Sequence, residues 1–277
     1  MSLDTDVTII EVDLLLEAIY RRYGYDFRDY QRETITRRLQ QFLQDTGIPS
    51  VGEVIHRLLR EPTVFYHLIG YFSVNVTALF RDPFVYAALR QHVVPMLRTW
   101  PHVKLWDAGC ATGEEVYSLA ILLREEGLLD RTTIYATDIS AAAIETAKGG
   151  IYPLDIILHG STNYLESGAT ASLSAYYHAR YDAAAMDPTL RKHITFARHN
   201  LAMDASFGEM QVIVCRNVLI YFNRELQDTV LTLFWESLEN GGYLCLGDKE
   251  SLAFTAVEKY FDIVDDHARI YKKRHPR

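Results

Sequence analysis

Apolar residues return every three to four positions through the first part of the chain, a spacing that gathers them on one face of an α-helix. Ile10, Leu14, Leu15, Ala18 and Ile19 predict a helix over 10–20, ended by Tyr23-Gly24-Tyr25-Asp26. Ile35, Leu39, Phe42 and Leu43 predict a second over 29–44, with Arg32, Arg37 and Arg38 largely off the apolar face and Gly47-Ile48-Pro49 as the stop. Residues 50–60 and 63–70 read as two further short helices, so an all-α N-terminal domain is expected over 1–82. Asp82-Pro83 reads as the start of a longer helix reaching about Leu97, with Asp as N-cap and Pro where its missing N–H costs nothing.

Beyond Leu97 the period changes. Short continuous apolar runs at 103–106, 133–136, 194–197, 212–215 and 243–246 alternate with helical stretches, the pattern of a mostly parallel sheet covered on both faces. Two strand-like runs, 261–264 and 268–272, flank Asp265-Asp266 and predict a terminal hairpin that makes the sheet mixed. Residues 152–198 are less regular. Gly160-Ser161-Thr162-Asn163 reads as a loop, and a small strand-containing insertion is expected at about 165–197 within an α/β domain over 83–277.

Composition narrows the function classes. Hydrophobic residues make up 49% and charged residues 23%, which suits a folded globular chain. A formal charge of −8 works against dedicated nucleic-acid binding, which relies on Lys and Arg to neutralise phosphates. Cys110, Cys215 and Cys245 each sit in an apolar stretch and read as reduced thiols of a cytosolic protein. The first residues, with Asp4, Asp6, Glu11 and Asp13, lack a secretory pattern, and no apolar run approaches the ~20 residues that span a bilayer. A cytoplasmic location without direct membrane insertion is expected.

Three stretches carry candidate chemistry. Residues 103–115 run from an apolar strand through a turn holding Gly109 and Gly113 into a helix that opens with Glu114-Glu115. A dinucleotide site would need G-x-G-x-x-G here. That spacing is absent, and two acids stand where a diphosphate would arrive, so a cationic ligand is better suited; equally, acids in a first turn complement the helix dipole. Asp138 ends the next strand, where a carboxylate can accept both hydroxyls of a ribose. Arg216-Asn217 interrupts the apolar run 212–222 and needs a partner or a cavity. No H-E-x-x-H, paired Cys-x-x-Cys, serine elbow or metal-spaced histidine cluster is present, and no metal is expected.

Taken in order, these stretches resemble the CheR family of chemoreceptor glutamate methyltransferases. Residues 75–83 are similar to its N-V-T-x-F-F-R-D/E segment, 108–115 to A-G-C-S-T-G-E-E, 136–139 to A-T/S-D-I, 198–201 to R-x-N-L and 215–222 to C-R-N-V-x-I-Y-F. Tyr23 to Phe27, Tyr30 and the Arg-containing helix resemble its receptor-recognising domain, and the likeness runs from about Gly24 to Leu252. It implies a class I S-adenosylmethionine-dependent methyltransferase fold, Rossmann-like with a mixed seven-stranded sheet, a small inserted β-subdomain and an all-α N-terminal domain.

It also implies S-adenosylmethionine as cofactor, S-adenosylhomocysteine as product, and the cytoplasmic domains of chemoreceptors as partners. Asn75, Thr77, Arg81, Glu115, Asp138, Asn200, Leu201, Arg216 and Asn217 are then the cofactor-binding residues, with Asp138 on the ribose and Glu115, or alternatively Glu114, near the methionyl amine. Arg81 and Tyr221 are the residues expected nearest the transferring methyl and the acceptor carboxylate. Gly247-Asp248-Lys249-Glu250 departs from the family's G-H-S-E, Val116 replaces a frequent Pro, and 181–187 lacks the glycines many members carry. A glutamate acceptor needs no general base, since a carboxylate of pKa about 4.3 is already ionised at neutral pH. Two other readings stay open: a methyltransferase with another protein or small-molecule acceptor, and a non-catalytic S-adenosylmethionine-binding adaptor.

Overall fold

The computed structural model describes residues 3–72 and 77–275. Its first four elements are helices, α1 (Leu3–Tyr23), α2 (Arg32–Thr46), α3 (Val51–Leu58) and α4 (Pro62–Phe72). Leu15, Leu16, Ile19, Phe27, Ile35, Leu39, Phe42, Phe65 and Phe72 close a core of their own between them. Gly47 ends α2 in the left-handed region and Ser50 caps α3 by accepting the Glu53 N–H.

The segment from Pro83 to Leu97 is helical throughout, as α5 (Pro83–Ala88), a π-turn (Leu89–Val93) and α6 (Val94–Leu97). The wider turn accommodates Pro95, which has no N–H to offer a regular helix. The expected N-cap is not made. Asp82 sits at φ 56°, its side chain caps nothing, and its carboxylate accepts from Arg216 instead.

The α/β domain follows with β1 (Val103–Ala108), α7 (Glu114–Glu125), β2 (Thr132–Asp138), α8 (Ala141–Gly149), β3 (Ile151–Pro153), α9 (Leu154–Glu166), β4 (Tyr177–Arg180), β5 (Ala183–Met186), α10 (Pro188–Arg191), β6 (Ile194–Arg198), β7 (Met210–Cys215), α11 (Arg224–Ser237), β8 (Leu238–Leu246), β9 (Phe261–Asp265) and β10 (Ile270–Lys273). The main sheet has seven strands in the order β6-β2-β1-β7-β8-β10-β9. Pairing is parallel from β6 to β8 and antiparallel for β10 and β9. This is the mixed class I methyltransferase sheet expected from the sequence. Helices lie on both faces, and β7 is buried at every position, which is why the parallel strands read as unbroken apolar runs. The chain leaves β1 for β2 on one side and returns to β7 on the other, so the strand order reverses at β1, where open α/β sheets hold their ligands.

The inserted sheet differs from expectation in place and in length. It has the order β3-β5-β4 and begins at Ile151, ahead of the expected 165, while residues 194–198 are the β6 edge of the main sheet and no part of the insertion. Residues 160–163 form the middle of α9 and not a loop. Gly160 serves close approach: a β-carbon there would meet the Leu79 β-carbon at 2.7 Å.

Candidate active site

The C-terminal ends of β1, β2, β6 and β7 open onto one cavity of about 880 Å³, its open mouth included. Thr77, Arg81, Glu115, Asp138, Asn200, Leu201, Arg216, Asn217 and Tyr221 all line it. Asn75 lies outside the described residues. Between Glu114 and Glu115 the structure discriminates: Glu115 faces the cavity, whereas the Glu114 carboxylate accepts from the Thr112 hydroxyl at 2.7 Å.

The turn after β1 is shaped by Gly109, at φ 91°. A β-carbon there would stand 2.4 Å from Val218 Cγ2, so the turn and the 216–222 loop approach as closely as their atoms allow. Gly109→Ala combines a left-handed penalty of about 1–2 kcal/mol with an overpacking cost of about 1–3 kcal/mol. A lowered urea midpoint with weakened S-adenosylhomocysteine binding is expected; calorimetry indistinguishable from wild type would refute the tight approach.

Asp138 is fixed from behind, accepting from Ala111 N at 3.0 Å and Ser140 N at 2.8 Å. Burial raises its pKa, against the pull of those backbone N–H groups. Asp107, one strand over, is completely buried and both its oxygens lack a hydrogen-bond partner among the described residues. Burial and then the charges of Glu115 and Asp138 push its carboxyl well above the ordinary range.

Arg216 joins three segments. It donates to Glu115 Oε1 at 2.5 Å, to Asp82 Oδ2 at 2.7 Å and to the Arg81 carbonyl at 3.1 Å, with its side chain 2% exposed. Burial opposes its charge, but the neighbouring groups, Glu115 foremost among them, together raise its pKa and the guanidinium is held ionised. Glu115 therefore presents a carboxylate already partly neutralised, and Asp82 ties the linker carrying Arg81 to the end of β7. Arg81 Nε lies 3.8 Å from the same Asp82 oxygen.

Glu250 was not singled out from the sequence. It is buried, and its carboxylate accepts from Asn217 N at 3.1 Å, Gly247 N at 2.6 Å and Ile220 N at 3.2 Å, holding Asn217 at φ 60°. The signal was present, since the Glu of the family's G-H-S-E is retained while the two residues before it change. Tyr30 and Phe72 of the helical domain also line the cavity, as do Ile139, Val218 and Phe222. His199 lines it too, with its ring edge-on to Trp106 at 5.2 Å and Nε2 3.4 Å from the Ala205 carbonyl.

The lining sets two carboxylates, Glu115 and Asp138, against two arginines, Arg81 and Arg216, between aromatic and aliphatic walls, so it lacks the excess of positive charge a diphosphate would call for and suits a nucleoside with a charged tail. Residues 75–270 match the family model of the CheR methyltransferase S-adenosylmethionine-binding domain, and residues 10–73 match that of the CheR methyltransferase all-alpha domain. The chain belongs to the CheR methyltransferase family. Among CheR relatives, Cher3 of Pseudomonas putida, which carries a methyltransferase name, is 48% identical over 266 residues, covering 96% of this chain and 97% of its own. A chemotaxis protein methyltransferase of Pseudomonas aeruginosa is 32% identical over 235 residues, covering 79% and 81%. That of Listeria monocytogenes is 30% identical over 237 residues, covering 85% and 87%. As a CheR methyltransferase the protein uses S-adenosylmethionine as its cofactor. Among the described residues, no helix is long and apolar enough to cross a membrane and no group of His, Cys, Asp and Glu is arranged to hold a metal.

Proposed function

We propose that this CheR protein esterifies glutamate side chains in the cytoplasmic domains of chemoreceptors, working in the cytoplasm. The observation that carries this reading is the clustering of cations around Tyr221. Burial raises the pKa of its half-buried phenol, and the charges of Arg38, Arg81 and Arg37 pull it back. Arg37 is exposed and Arg38 half-buried on α2, so the helical domain brings positive charge to bear on Tyr221, which lines the cavity. Arg32, grouped with them by sequence, instead pairs with Asp13. The names of the Pseudomonas aeruginosa and Listeria relatives, chemotaxis protein methyltransferases, support methylation in chemotaxis.

In this reading Asp138 accepts the ribose hydroxyls, Glu115 faces the methionyl amine, and Thr77, Asn200, Leu201, Arg216 and Asn217, with Asn75, complete the cofactor's surroundings. S-adenosylmethionine supplies an electrophilic methyl on a sulfonium. The protein supplies no base, since the acceptor is already anionic. Arg81 and Tyr221 orient that anion, and orientation of this kind is worth up to roughly 7–11 kcal/mol. The apolar walls keep water away from two charges that cancel as they react.

The cationic cluster is tested by ionic strength. Arg37→Glu is expected to slow methylation of a chemoreceptor cytoplasmic domain severalfold at low salt, with the gap closing as salt screens the exposed charge. S-adenosylhomocysteine affinity should not change. Equal rates for the two proteins across the salt range would contradict the assignment.

A further inference from the structure

The inserted sheet is joined to the turn after β1 by a side chain that is not among those lining the cavity. Tyr152 stands in the middle of β3, where its backbone pairs with Ala184 of β5, so it belongs to the inserted sheet. Its phenol reaches back to the main domain and donates to the Thr112 carbonyl at 2.8 Å. Tyr152 is buried, and burial and then the charge of Glu114 raise its pKa, so the phenol keeps the proton it donates.

A second tyrosine crosses the same contact in the opposite direction. Tyr117, in the first turn of α7, donates to the Ala147 carbonyl near the end of α8 at 3.0 Å, and its ring lies edge-on to that of Tyr152 at 6.1 Å. Beyond α8 the backbone is fastened to the inserted sheet: the Gly150 carbonyl accepts the Met186 N–H at 2.8 Å, and Leu154 N–H donates to the Asp182 carbonyl at 2.9 Å. The junction of α8 and β3 is therefore tied to the turn on one side and to the inserted sheet on the other.

The place of Thr112 gives this tie its consequence. Gly109, Cys110 and Ala111 line the cavity before it and Glu115 lines it after, so the carbonyl that Tyr152 holds lies between two parts of the cavity wall. We propose that Tyr152 is a positioning residue for the cofactor, and that through it the inserted sheet and the cofactor-binding turn are coupled, each firmer when the other is held. This rests on the reading of the cavity as the cofactor site with Glu115 at the methionyl amine. Without the phenol, the turn loses the bond that fixes Thr112, and Ala111 and Glu115 on either side of it receive the cofactor less well. The coupling is reciprocal: a cofactor that steadies the turn steadies the inserted sheet by the same free energy.

The test uses the full chain with S-adenosylhomocysteine as probe. By calorimetry Tyr152→Phe, which keeps the ring and removes only the donor, should bind the probe about threefold to tenfold more weakly, the scale of one hydrogen bond. In methyl transfer the loss should appear in KM for S-adenosylmethionine, with kcat unchanged. Tyr117→Phe removes a comparable bond that ends on α8, so it should lower the urea midpoint at least as much while changing probe affinity less. Hydrogen exchange at the amides of Met186 and Leu154 should slow when the probe binds the unaltered chain, and slow less in Tyr152→Phe. Unchanged affinity in Tyr152→Phe, equal affinity losses in the two variants, a fall in kcat with KM unchanged, or exchange that slows at neither amide would overturn the proposal while leaving the cofactor site standing. Failure of the unaltered chain to bind the probe would overturn the cofactor reading and this proposal together. If Tyr152→Phe does not fold, the exchange pattern of the unaltered chain decides.

Discussion

Arg216→Ala is expected to cost about 3–5 kcal/mol of stability and to abolish cofactor binding, because it strands Glu115 and Asp82 without the cation that both need. The Arg81 carbonyl loses its donor at the same time. Arg216→Lys should recover little, since a single ammonium cannot serve three acceptors set around a planar fork. Urea denaturation with and without S-adenosylhomocysteine reads both effects. A double-mutant cycle with Glu115→Ala sharpens the test: the paired loss should be well below the sum of the single losses, because the second substitution removes the charge the first exposed. Additive losses would mean that the contact between Arg216 and Glu115 contributes nothing of its own.

Arg81→Ala is expected to lower methyl transfer by about 10²-fold, the scale associated with misplacing a reacting group by an ångström. Its side chain is 39% exposed, so the substitution should leave the fold intact. The effect should fall mainly on kcat, with S-adenosylhomocysteine affinity reduced much less. Steady-state kinetics beside calorimetry separates the two, and full methyl transfer with normal cofactor binding would remove Arg81 from the acceptor site.

How much of this was legible in the sequence depended on whether one segment or several carried the information. The parallel strands were readable because strands such as β7 are buried on both faces, leaving an apolar run with little ambiguity. The residues of the cavity were readable as ordered motifs, and nine of those named, Thr77 to Tyr221 in chain order, fall on its lining. What failed was local chemistry overridden by tertiary contact. Asp82-Pro83 has the composition of a cap, yet Arg216, distant in sequence, takes the carboxylate. Gly160 has the composition of a turn, yet it is the contact that lets α9 lie against Leu79. β3 escaped notice because three residues ending in Pro153 show no alternation to read. Tyr30 and Phe72 belong by pattern to the helical core, and only the docking of the two domains turns them toward the cavity.

The acceptor is the central claim, and the position of the transferred methyl tests it most directly. The full chain is incubated with methyl-labelled S-adenosylmethionine and a chemoreceptor cytoplasmic domain, and the label is located by peptide mass spectrometry and by release in mild alkali. Methyl esters on glutamate side chains, lost as methanol in alkali, are the predicted result. An alkali-stable label, or no label on the receptor from a protein that binds its cofactor normally, would contradict it.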